Sequence, residues 1–159
     1  MDQVRIFALG GLDENGKNMY VVEVNEAIFI IEAGLKYPES DQLGVEFIIP
    51  DFSYLIQNKD RVKGIFITHA HDDVVAALPY LLKQINVPVY TGNLTANIIH
   101  DMLKKEGIKN VKIHRMKRAS KQTIGGVKVR TFPMTHAFPD NFGLAITTDQ
   151  GYIVYTLSL

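Results

Sequence analysis

Cysteine is absent from the 159 residues, which excludes a disulfide framework, a thiolate metal site and a cysteine nucleophile together. Any protein ligands to a metal must come from His, Asp and Glu. Net charge is absent as well: 17 Lys plus Arg balance 17 Asp plus Glu, so no uniform basic field draws the whole molecule to nucleic acid or anionic membrane. Long apolar runs are missing too. No segment approaches the roughly 20 unbroken apolar residues of a bilayer span, and Met1-Asp2-Gln3-Val4-Arg5 lacks the basic-then-apolar build of a secretory signal. The expectation is a cytoplasmic chain with no membrane partner. What is present in quantity is core material. Hydrophobic residues make up 47% of the chain, enough to build a sizeable core at a length usual for one domain, and this rules out global disorder.

The balanced charge is unevenly spread. Lys104, Lys105, Lys109, Lys112, Arg115, Lys117, Arg118, Lys121, Lys128 and Arg130 are ten of the 17 basic residues and face only Glu106 in that stretch. Such a run can neutralise phosphates and release counterions; the alternative is a solvated helix end and hairpin. It lacks the interleaved aromatics of a stacking platform for single strands.

Val4 to Leu9, Met19 to Val24 and Ala27 to Ile31 read as three strands, the last two joined by a tight Asn25-Glu26 turn. Between the first two lies Gly10 to Asn18, a loop whose glycines allow positive φ and close backbone approach. Gly34 to Pro50 reads as a long irregular excursion, followed by a short helix around Phe52 to Gln57. Val62 to Thr68 is a β-branched run of strand length that leads directly into His69-Ala70-His71-Asp72-Asp73. Apolar residues from Val75 to Ile85 then recur at helical spacing, which predicts a helix over Val74 to Gln84. Val87 to Thr91 reads as a strand and Leu94 to Lys105 as a helix closed by Gly107. Strand signals return over Val111 to His114, Thr123 to Phe132, Phe142 to Thr148 and Tyr152 to Thr156, with Gly125-Gly126 as a turn. This order implies an α/β fold of mixed sheet layers covered by helices. The apolar end Leu157-Ser158-Leu159, directly after a strand, reads as a cut or as an edge awaiting a partner.

The chemistry concentrates at one strand-to-helix turn. His69 and His71 are one residue apart, so both imidazoles can converge on one ion, and Asp73 adds a hard oxygen on the same loop. Zinc suits imidazole with carboxylate, and three protein ligands with one open position are what catalytic zinc sites use. His136, in the loop after the strand Val127 to Phe132, is the candidate for a third histidine. The alternative for the cluster is a polar helix cap, with Asp72 or Asp73 accepting backbone N–H groups. His100 and His114 read as ordinary surface or hydrogen-bonding histidines.

Phe66-Ile67-Thr68-His69-Ala70-His71-Asp72-Asp73 resembles the metallo-β-lactamase signature His-x-His-x-Asp-His. Leu9-Gly10-Gly11-Leu12, Gly16-Lys17-Asn18-Met19-Tyr20, Glu32-Ala33-Gly34 and Ile49 to Leu55 more specifically resemble the ribonuclease J family, over nearly the whole chain. The resemblance implies the N-terminal half of a metallo-β-lactamase-like αββα sandwich across residues 1–159, without the inserted β-CASP domain and the C-terminal domain of that family. It implies RNA as substrate, 5′-3′ exonuclease or endonuclease action, and zinc, or manganese in its place. His69, His71 and His136 would hold the first metal, with Asp73 a catalytic carboxylate and second-metal ligand. It further implies a homo-oligomer, or a hetero-oligomer with a ribonuclease J paralogue.

The chain departs from the family pattern at three places. Val74 stands where a second-metal histidine is expected, Leu157-Ser158 where a Gly-Asp pair supplies a bridging carboxylate, and Glu32 where many relatives carry Asp. With Val74 in place, one bound ion at most and weak or absent cleavage are expected. A non-catalytic RNA-binding or partner subunit is the alternative reading, and a small-molecule hydrolase on the same fold is a third, disfavoured by the ribonuclease J-like segments.

Overall fold

The computed structural model describes residues 1–12, 16–38, 40–135 and 140–156. Strands β1 (Val4–Gly10), β2 (Met19–Val24) and β3 (Ala27–Ile31) form an antiparallel meander. β3 then pairs in parallel with β4 (Val62–Ile67), β4 with β5 (Val89–Thr91) and β5 with β6 (Ile113–Arg115), giving a six-stranded sheet in sequential order. A second, antiparallel sheet runs β10 (Gly151–Tyr155), β9 (Gly143–Thr148), β8 (Val127–Phe132), β7 (Ser120–Ile124). Helices α1 (Ser53–Gln57), α2 (Asp72–Val75), α3 (Leu78–Leu82) and α4 (Asn93–Lys105) supply the connections around the parallel strands.

The first sheet is covered on both faces, which is why β3 is a continuous apolar run rather than an alternating one. All five of its residues are buried. Side chains alternate across a strand, so Ile28 and Ile30 join Ile65, Ile67, Leu78, Leu81 and Ile99 in the helix-facing core. Phe29 and Ile31 join Phe66, Val129, Leu144 and Ile146 in the core between the two sheets. The second sheet alternates cleanly: Val127, Val129 and Thr131 of β8 face inward, and Lys128 and Arg130 face out. Three layers result, helices on sheet on sheet, in the order expected for an αββα sandwich. Among the described residues no helix covers the outer face of the four-stranded sheet, and none is long and apolar enough to cross a membrane.

Most strand expectations fall within a residue or two of the observed ends. The helix expected over Val74 to Gln84 is instead two short ones, α2 and α3. The Ala77 N–H is drawn out of the helical ladder to the Ala33 carbonyl, 2.8 Å away. Pro79, in the first turn of α3, has no N–H to continue the ladder. Hydrophobic spacing runs through the break because both pieces pack on the same sheet face.

Phe66 sits in the inter-sheet core with no exposed surface, its ring centroid 6.3 Å from Phe29 and 5.3 Å from Tyr90. Phe66→Ala is expected to cost about 3–5 kcal/mol, the range for truncating a fully buried aromatic. Chemical denaturation measures it, and a loss under about 1 kcal/mol would contradict this packing.

Candidate metal centre

In open sheets with parallel strands, ligands bind beyond the carboxyl ends of those strands. β4 ends at Ile67, and the next six residues, Thr68 to Asp73, carry the polar cluster. His69 is buried, His71 is exposed at the N-cap of α2, and Asp73 is half-buried in its first turn. The two imidazole centroids lie 4.6 Å apart with rings nearly perpendicular. One ligand atom from each of His69, His71 and Asp73 falls within 4.8 Å of the others. A tetrahedral zinc with bonds of about 2.0–2.2 Å separates its ligand atoms by about 3.4 Å. The set therefore needs to close by roughly an ångström to hold a zinc ion.

The expected convergence of His69, His71 and Asp73 is thus present. His136 lies outside the described residues. The residues flanking that segment are tied down by Arg118, whose Nη2 donates to the Met134 carbonyl at 2.9 Å and whose Nε donates to the Asn141 carbonyl at 3.0 Å. Asp140 accepts from the backbone N–H groups of Leu94 and Thr95, at 2.6 and 3.3 Å, in the first turn of α4. Asp72 and Asp73 do not cap α2: its N-cap residue is His71 and no side chain bonds the cap. Asp72 accepts from the Tyr37 hydroxyl at 2.9 Å, and Asp73 from the Asn18 amide at 3.3 Å. The polar-cap alternative is therefore set aside for this cluster.

A second row of groups holds the loop. Glu32, fully buried at the end of β3 with φ of 72°, accepts from the Thr68 N–H at 2.9 Å and the Thr68 hydroxyl at 2.6 Å. Tyr155 of the second sheet donates to the same carboxyl group at 3.3 Å. The Thr68 hydroxyl oxygen also lies 2.9 Å from His69 Nδ1. With Glu32 ionised, the hydroxyl's only hydrogen goes to Glu32, so Nδ1 carries the proton and Nε2 keeps its lone pair for an ion. On the far side of the loop, Asn18 binds the backbone and carboxylate of Asp73. Sequence inspection marks Glu32 only as a substitution and Asn18 only as part of a motif. Their roles depend on contacts between residues 36 and 55 positions apart.

Val74 is buried and packs into the core. It contributes only backbone to the site, its carbonyl accepting from the Ala33 N–H at 2.7 Å. The basic stretch divides in space. Arg115 is committed to Asn93 and Asn97, and Arg118 to the carbonyls named above. Lys121, Lys128 and Arg130 lie exposed on the outer face of the four-stranded sheet. His100 is on the exposed side of α4, and His114 stacks on Tyr90 with centroids 4.6 Å apart. Neither joins the cluster.

Burial pushes the Glu32 carboxyl group up to about 8, against the pull of the hydrogen bonds from Thr68 and Tyr155, with the Asp73 charge adding a smaller upward push. Burial, with the Glu32 charge, also drives the Tyr155 hydroxyl strongly upward, so it stays a neutral donor. In the unfolded chain Glu32 titrates near 4.5. Between that value and about 8 the folded state keeps a proton that the unfolded state has released. Stability therefore falls as pH rises through this window, and the contribution is gone above it. A cation beside His69 and His71 favours the ionised carboxylate and narrows the window. The melting temperature of the metal-free chain is expected to fall more between about pH 5 and about pH 8 than that of Glu32→Gln. Superimposable pH profiles for the two proteins would contradict the assignment.

The sequence pattern of the metallo-beta-lactamase superfamily matches residues 12–141, and the chain belongs to that superfamily. Curated relatives of this chain include ribonuclease J proteins. Ribonuclease J 2 of Staphylococcus saprophyticus is 43% identical over 96% of this chain, and ribonuclease J 1 of Streptococcus pyogenes is 40% identical over 98%. The chain spans 28% of the length of each of these relatives. Among solved structures, a protein of unknown function from Enterococcus faecalis aligns over 96% of this chain and 43% of its own, with a TM-score of 0.69 at 16% identity. The short form of human tRNase Z aligns over 97% of this chain and 68% of its own, with a TM-score of 0.60 at 16% identity. These structural likenesses concern the fold.

Proposed function

We propose that this chain is the N-terminal part of the metal-binding domain of a ribonuclease J-type RNA phosphodiesterase that works in the cytoplasm. The observation that carries the proposal is the donor set of His69, His71 and Asp73, within 4.8 Å of one another at the end of a buried parallel strand. In this reading His69, His71 and His136 hold one zinc ion with the Asp73 carboxylate as a further ligand, and manganese is able to take zinc's place. A divalent ion so held lowers the pKa of bound water and polarises a phosphate. The protein groups do the remaining work: the imidazoles fix the ion's place, and the Asp73 carboxylate, bound at the same ion, orients the attacking water. Lys121, Lys128 and Arg130 offer the RNA backbone a cationic surface whose affinity falls with salt.

One observation favours a second reading in which the chain binds RNA, or supports an active ribonuclease J paralogue, without cleaving. Val74 occupies the place of a second-metal histidine in the resembled signature, and its side chain is packed into the core. A single ion then has no partner across the scissile phosphate, and cleavage by this chain alone is weak or absent. Association as a homo-oligomer or with a paralogue belongs to this proposal.

The purified chain is expected to retain about one zinc or manganese, and His71→Ala to lose it, with negligible cleavage of a 5′-monophosphorylated RNA by either protein. Elemental analysis and an RNA cleavage assay measure both. Equal metal content in the two proteins would remove the site as a metal centre, and strong chelator-sensitive cleavage by the parent chain would overturn the single-ion reading.

A further inference from the structure

Asn18 lies at the end of the glycine-rich loop before β2, far from the His-x-His segment in sequence, yet it is wrapped around Asp73. Its backbone N–H donates to the Asp73 carbonyl at 3.1 Å, and its side-chain amide donates to the same carbonyl at 2.9 Å and to Asp73 Oδ2 at 3.3 Å. An Asn side chain presents an oxygen at one end of its amide and a nitrogen at the other, so such contacts require it to be held one way round. The two acceptor oxygens of Asp73 fix that choice, and Tyr20, two residues on, holds the other end of the amide, its hydroxyl donating to Asn18 Oδ1 at 3.4 Å. Gly34 closes the packing from the other side. Its N–H donates to the Asn18 carbonyl at 2.8 Å, and a Cβ on Gly34 would come within 1.7 Å of the Asp73 carbonyl oxygen and 2.6 Å of the Asn18 nitrogen. No side chain larger than hydrogen fits there without moving Asn18 or Asp73.

We infer that Asn18, oriented by Tyr20, is a positioning residue that sets the rotation of the Asp73 carboxylate, holding Oδ2 and presenting Oδ1 to the ion-binding side of the loop. The inference rests on the reading of His69, His71 and Asp73 as metal ligands and extends it to a residue that touches no metal. An anchor of the backbone alone would need only the two contacts to the Asp73 carbonyl. The contact to Oδ2 and the Tyr20 constraint on the amide are what reach the carboxylate. Partners of this kind behind a metal ligand are worth about 10–100-fold in affinity, and the 3.3 Å length of the carboxylate contact places Asn18 at the lower end.

The test is a double-mutant cycle on zinc affinity, measured by competition with a chromophoric chelator on the full chain, with thermal melts run alongside. Asn18→Ala is expected to weaken zinc binding about tenfold in the parent chain and to have no further effect in an Asp73→Ala background. Tyr20→Phe, which removes only a hydroxyl group, is expected to weaken binding in the same direction by a smaller factor, again only when Asp73 is present. It serves in place of Asn18→Ala if that variant does not fold. Unchanged zinc affinity in Asn18→Ala and Tyr20→Phe, or equal losses with and without Asp73, would overturn the positioning role while leaving Asp73 as a ligand. Unchanged affinity in Asp73→Ala by itself would instead remove Asp73 from the ligand set, and the inference with it.

Discussion

The carboxyl group of Glu32, wholly buried at the end of β3, is bound to Thr68 at the end of the neighbouring β4, and the site hangs on that junction. Burying a carboxylate costs several kcal/mol unless hydrogen bonds replace its water. Here a backbone N–H and two hydroxyl groups do so, one of them from the opposite sheet through Tyr155. The junction therefore ties together the ends of two parallel strands, the two sheets, and the threonine whose hydroxyl meets His69. Truncating Glu32 leaves the buried Thr68 N–H without its partner, which is the expensive outcome.

From that junction the loop is built outward by backbone contacts more than by side chains. The Ala33, Gly34 and Leu35 N–H groups reach the carbonyls of Val74, Asn18 and Asp72, at 2.7, 2.8 and 3.1 Å. Segments 16–18, 32–35 and 72–74 thus form one hydrogen-bonded knot beneath the histidines. His69 is fixed inside it while His71 stands exposed at its rim. One buried donor beside one exposed donor is a workable arrangement for taking up an ion from solvent. The superfamily assignment and the metal dependence it carries agree with this arrangement. Val74, buried beside the site, serves the knot through its backbone carbonyl.

The strands were largely legible because both sheets carry strong periodic signals: a continuous apolar run in β3, clean alternation in β8. The His-x-His-x-Asp turn was legible because its donors are close in sequence and follow a buried strand. The break between α2 and α3 was not, since apolar spacing persists across it and the deciding bond, from Ala77 to Ala33, joins residues 44 apart. Glu32 and Asn18 escaped for the same reason. A buried carboxylate and a lone amide have no local pattern, and only the fold shows that one faces Thr68 and the other Asp73. The basic stretch was legible as composition but not as a surface, because two of its arginines are consumed by internal hydrogen bonds.

In the proposed site, donors from separate loops converge on one ion beside the end of β4. Anomalous diffraction at the zinc edge, from crystals of the zinc-loaded chain, tests it most directly. One peak is expected within about 2.0–2.2 Å of nitrogen atoms of His69, His71 and His136 and of an Asp73 carboxylate oxygen. A peak held elsewhere, or none at full zinc loading, would contradict it.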